Sequence, residues 1–128
     1  MQAKGTFQIQ MTAEPPYSDE DGVVLARASF AKQFSGDLVG ASVVQFLGAR
    51  TPVEGSAGYV GLERVVGTLG GKRGSFVLQH SGRMQGGTQT LAISVVPDSG
   101  TGELRGIAGT FRIDVVEKLH HYTFDYTI

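Results

Sequence analysis

Apolar and polar residues alternate strictly at both ends of this chain. Over Ala3–Thr12, Phe7, Ile9 and Met11 fall on one face and Thr6, Gln8 and Gln10 on the other. Over His121–Ile128, Tyr122, Phe124, Tyr126 and Ile128 share a face, opposite His121, Thr123 and Asp125. A period of two is the signature of a strand with one wet face. Between these ends the pattern predicts further strands at Val23–Ser35, Val39–Ala49, Ala57–Leu69, Ser75–Met84, Thr88–Val96 and Leu104–Val116. In Val23–Ser35, Val24, Ala26, Ala28, Phe30 and Phe34 form an apolar face that Lys32 interrupts. In Leu104–Val116 the apolar face is Ile107, Gly109, Phe111, Ile113 and Val115. No segment sustains a 3.6-residue period, so little helix is expected.

The connections carry turn chemistry. Glu14–Gly22, with Pro15, Pro16 and the acids Asp19, Glu20 and Asp21, reads as an exposed loop. Ser35–Asp37, Thr51–Ser56, Gly70–Gly74 and Pro97–Gly102 are rich in Gly, Pro, Ser and Asp, the residues that turns require. The 19 glycines are spread through the strands rather than gathered in a linker. Glycine within strands marks bends and close backbone approaches, which a sheet needs in order to curl on itself. The expected fold is therefore all-β: an eight-stranded antiparallel meander closed into a barrel, with residues 1–128 as one domain.

Two of these strands are apolar on both faces. Val43, Leu47 and Ala49 alternate with Val44 and Phe46, and Tyr59, Val65 and Leu69 alternate with Val60, Leu62 and Val66. Outward apolar residues on a small barrel need a cover. With no helix to supply it, a homo-oligomer is expected, most simply a dimer. The alternative is a terminal segment folded over that surface.

Composition narrows the function classes. Eleven basic residues against twelve acidic ones, with neither sign clustered, argue against nucleic acid as a partner. The absence of cysteine excludes disulfides, thiolate nucleophiles and Cys-ligated zinc. The first residues alternate and have no apolar signal-peptide core, and no apolar run nears the roughly 20 residues that span a bilayer. A cytoplasmic protein with no membrane association is expected.

Candidate chemistry centres on the two strands of Gly58–His80. His80 shares a face with Phe76, Leu78 and Met84, which should point inward. An inward histidine in apolar surroundings has its charged form disfavoured and is suited to proton exchange near neutrality; the plainer reading is a core histidine held by one hydrogen bond. Glu63 shares a face with Tyr59, Gly61 and Val65. If that face is inward, Glu63 lies one strand from His80 and can pair with it. The opposite registration sends Arg64 inward and Glu63 into solvent. The inward registration is preferred, but alternation alone leaves both open. Tyr59, Phe76, Leu78, Tyr122 and Tyr126 are the candidate ligand-binding or core residues. Lys32 is expected to extend its ammonium to solvent.

Other motifs fail on spacing. Gly71-Lys72 is no phosphate loop, because Val66 stands at the first required glycine and Arg73 where Ser or Thr is needed. His80-Ser81 and His120-His121 are adjacent strand residues whose side chains point to opposite faces. No metal site and no cofactor is expected.

Phe34–Asp37 (FSGD), Val60–Leu69 (VGLERVVGTL), Gly71–His80 (GKRGSFVLQH) and Ser99–Ile107 (SGTGELRGI) together resemble an uncharacterised bacterial family of small barrels, related in fold to plant allene oxide cyclase. The resemblance covers nearly the whole chain. It departs at Gln89-Thr90-Leu91, where an aromatic residue is expected after the Gly86-Gly87 turn. It implies a barrel fold and no particular activity. Three functions follow from the residues: a barrel that binds a small apolar or aromatic molecule, a cofactor-independent isomerase or cyclase using Glu63 and His80 for proton transfer, and a filled structural barrel acting through its oligomer surface.

Overall fold

A computed structural model describes residues 1–128. Its strands are β1 (Gln2–Ala13), β2 (Val24–Gly36), β3 (Leu38–Arg50), β4 (Ala57–Leu69), β5 (Lys72–Gln85), β6 (Thr88–Val95), the two-residue β7 (Thr101–Gly102), β8 (Ala108–Val116) and β9 (Leu119–Thr127). The only helical element is a 3-10 turn at Glu20–Gly22, and no helix is long and apolar enough to cross a membrane. All pairings are antiparallel. The order β4-β3-β2-β1-β9-β8-β6-β5 closes through a β4–β5 ladder, giving an eight-stranded barrel. β7 lies outside that ring and pairs with β5 at Gly74 and Ser75. The ring is joined by long ladders except between β6 and β8, which meet through the single pair Ser94–Thr110.

The expected strands are present, with one correction. The seventh begins at Ala108 rather than at Leu104. Glu103–Gly106 is a turn, held by Leu104 N–H donating to the Thr101 carbonyl and Ile107 N–H to that of Leu104. Leu104 and Ile107 are nonetheless fully buried. They seal one end of the barrel from within a turn, a role that strand alternation does not reveal.

That sealed end holds the main core. Phe34, Leu38, Leu69, Phe76, Phe111, Tyr122, Phe124 and Tyr126 interlock there. Phe76 stacks on Phe124 at 5.5 Å and Phe111 on Tyr122 at 5.4 Å between ring centroids. The Tyr122 hydroxyl accepts from Leu38 N–H (2.9 Å) and donates to the Ser35 carbonyl (3.0 Å), tying β9 to the β2–β3 turn. It fits because the facing residue on β1 is Gly5; a Cβ there would strike both that hydroxyl and the Ser35 carbonyl.

The opposite end is not filled. By register Ile9, Met11, Leu91 and Val115 continue the inward rows of their strands, yet Ile9 is 39% exposed and Met11 58%. This end is a mouth.

Candidate functional site

Four polar side chains meet inside the apolar barrel, one from each of four consecutive strands. Lys32 on β2 is paired with Ser42 on β3. Glu63 on β4 pairs with Val44, two residues beyond Ser42, and His80 on β5 pairs with Gly61, two residues before Glu63 in the chain. Lys32, Ser42, Glu63 and His80 therefore run diagonally across the sheet, each within reach of the next. Gly61 leaves open the space opposite the imidazole: its missing Cβ would lie 3.8 Å from that of His80.

Glu63 is the hub. It is 0% exposed. Its Oε1 accepts from His80 Nε2 at 2.6 Å and from Lys32 Nζ at 3.3 Å, and its Oε2 accepts from Ser42 Oγ at 2.5 Å. Arg64 points to the outside, so the inward registration of β4 is the observed one. Burial alone would push the Glu63 carboxyl up. The His80 bond, the Lys32 charge and the Ser42 bond together outweigh that and hold it below the usual 4.5. Lys32 is 4% exposed, which overturns the expectation that it reaches solvent. Its ammonium sits 4.6 Å from the Phe7 ring centroid, a cation–π distance. Burial pushes Lys32 below its usual 10.5, with the Glu63 carboxylate opposing.

The two nitrogens of His80 differ. Nε2 is committed to Glu63, whereas Nδ1 has no protein partner. No buried side-chain nitrogen or oxygen in the protein lacks a hydrogen bond, so Nδ1 is not sealed off. It is the atom of the cluster open to exchange. Glu63, by contrast, has both oxygens engaged and a low affinity for protons. It is suited to orient the imidazole and poorly suited to be a base.

At the mouth is a cavity of about 400 Å³ whose wall includes Met11, Ala26, Ala28, Phe46, Ala57 and Tyr59 together with Glu14, Arg27 and Arg50; none of the four cluster residues lines it. Phe46 stacks on Tyr59 at 4.9 Å and meets Phe30 edge-on at 5.4 Å. The Tyr59 ring lies over Gly82, where any Cβ would strike it. Burial pushes the Tyr59 hydroxyl above its usual 10, with Gln89 opposing. Of the candidate ligand-binding residues, Tyr59 alone lines this cavity. Phe76, Leu78, Tyr122 and Tyr126 are buried in the core, with Phe76, Tyr122 and Tyr126 packed at the sealed end. Sequence reasoning paired Glu63 with His80 but passed over Ser42 and misplaced Lys32. The available signal was Lys32 itself, a charge at an inward position between Phe30 and Phe34. No group of three or more His, Cys, Asp or Glu side chains is placed to hold a metal ion.

Comparison with known proteins agrees with this architecture. A family model described as "Protein of unknown function (DUF3224)" matches residues 3–126. The crystal structure, at 1.84 Å resolution, of a DUF3224-family protein of unknown function from Shewanella oneidensis MR-1 is similar throughout. The two are 43% identical with a TM-score of 0.94, over 100% of this chain and 97% of that one. No curated protein matches the sequence.

Proposed function

The chain belongs to the DUF3224 family, whose function is unknown, and from the geometry of its barrel we propose that it binds a small apolar or aromatic molecule in the open mouth. One observation carries this reading: Met11, inward-facing and apolar, stays exposed on the wall of a cavity of about 400 Å³. That volume is within the range of small-molecule sites. The wall combines small residues (Ala26, Ala28, Ala57) with aromatic rings (Phe46, Tyr59), a lining suited to a flat or slender ligand. The Tyr59 hydroxyl, with Glu14, Arg27 and Arg50 on the same lining, supplies polar groups to orient it. The test is fluorescence titration with N-phenylnaphthylamine, a neutral apolar dye. Wild type should bind it saturably, and Ala26→Phe, which fills the cavity, should weaken binding at least about tenfold. Binding unchanged in Ala26→Phe contradicts the proposal.

The buried pair favours a second reading, a cofactor-independent isomerase or cyclase. The 2.6 Å bond from His80 Nε2 to Glu63 fixes the imidazole and leaves Nδ1 free to take a proton from one carbon of a bound substrate and return it to another. In this version His80 moves the proton and Glu63 orients it. A rate that follows a single ionisation and is lost in His80→Ala, with dye binding retained, would support this reading. Equal turnover in His80→Ala and wild type would exclude it.

A further inference from the structure

The outer surface of β2–β5 is unlike the rest of the barrel. Val39, Val43, Val60, Leu62, Val66 and Leu47 all point outward there, with Leu62 53% and Val60 52% exposed. The face has two levels. Towards the mouth end, Leu47, Val60 and Leu62, flanked by Gln45 and Gln79, line a recess of about 630 Å³ whose floor is the backbone row Phe46–Gly61–His80. Towards the sealed end, Ala41, Val43 and Val66 continue the same apolar strip.

We propose that this face is the interface with a second copy of the chain, related by a two-fold axis. Two arguments favour a second copy over another occupant. Four strands about 4.8 Å apart and about ten residues long at about 3.4 Å per residue present a face of about 650 Å² in projection. That approaches the ~800 Å² each partner contributes to a standard interface. The face is also complementary to itself. Let an axis lie in the interface plane and cross the strands between the rows Val43–Arg64–Val77 and Gln45–Leu62–Gln79. Ala41 and Val66 of one copy then enter the recess beside Leu47 and Val60 of the other, and the reverse holds equally, as an isologous contact requires. Arg64 would lie over the second copy's Leu62, within reach of the Gln45 and Gln79 carboxamide oxygens.

The charges on this face add a signature. Its outward residues include Arg27, Arg64 and Arg83 and no Asp or Glu. Two such faces repel, so added salt should tighten the dimer, whereas an acidic partner would be released by salt.

Sedimentation velocity on the full chain tests the inference. Wild type should sediment as a dimer at about 10 µM and tighten as salt rises from about 0.05 to about 0.5 M. Leu62→Lys and Val66→Lys should each raise the dissociation constant about 100-fold or more, as loss of a central anchor does. Val116→Lys, exposed but off this face, should remain a dimer, and far-ultraviolet circular dichroism should show all variants folded. A wild type monomeric at about 100 µM, a trimer or larger assembly, or a folded Leu62→Lys that still dimerises normally would overturn it. A monomer would leave the face to an acidic partner instead.

Discussion

Glu63 and His80 share a 2.6 Å hydrogen bond without being opposite one another in the sheet: the residue facing His80 is Gly61, and the residue facing Glu63 on β5 is Leu78. The bond is diagonal, and it is the last step of a polar line that starts at Lys32 and crosses Ser42. A carboxylate at the centre of an apolar barrel is tolerated because three donors converge on it.

Removing that centre should be costly. Glu63→Gln leaves the Lys32 ammonium buried with no counter-ion, and stability in urea should fall by about 3–5 kcal/mol. Lys32→Met should cost less, because His80 and Ser42 still satisfy the carboxylate. The double variant should recover part of the loss, with a coupling energy of about 1–3 kcal/mol in the cycle. Additive single effects would mean that the two groups do not act as a pair.

The acid limb of stability should report the same carboxylate. Its folded pKa lies below its usual 4.5. The unfolded chain therefore binds the proton more readily, and Glu63 contributes stability that is fully present above 4.5 and is lost as pH falls through the folded value. Thermal melts from pH 6 downward should show wild type losing more stability per pH step below 4.5 than Glu63→Gln. Parallel curves would show that Glu63 does not carry this dependence.

Much of this was legible in the chain, for identifiable reasons. Alternation in β1, β5 and β9 assigns inward and outward faces residue by residue, and it placed His80 beside Phe76 and Leu78; in β4, apolar on both faces, it left Glu63 and Arg64 open. The two-faced apolar strands likewise marked the outer face of β3 and β4. Lys32 was misjudged because its counter-ion is 31 positions away, brought near only by the β2–β3–β4 register. Leu104 and Ile107 were assigned to a strand because a plug residue in a turn has the same apolar signature as a strand residue. Tyr122 and Tyr126 looked equivalent to Tyr59 because sequence does not say which end of a barrel is closed.

The sealed end has its own test. Tyr122→Phe removes the acceptor for the buried Leu38 N–H and the donor to the Ser35 carbonyl, and should cost about 1–3 kcal/mol in urea unfolding. Because Tyr122 lies at the end away from the mouth, dye binding should be unchanged. A loss of binding with no loss of stability would place the ligand at the wrong end of the barrel.

The claim that the open mouth is the binding site is tested most directly by following backbone amide resonances through a titration with N-phenylnaphthylamine. Shifts concentrated on Met11, Ala26, Ala28, Phe46 and Tyr59, saturating together, are the predicted result. Shifts confined to Leu47, Val60 and Leu62 on the outer face, or none at all, would contradict it.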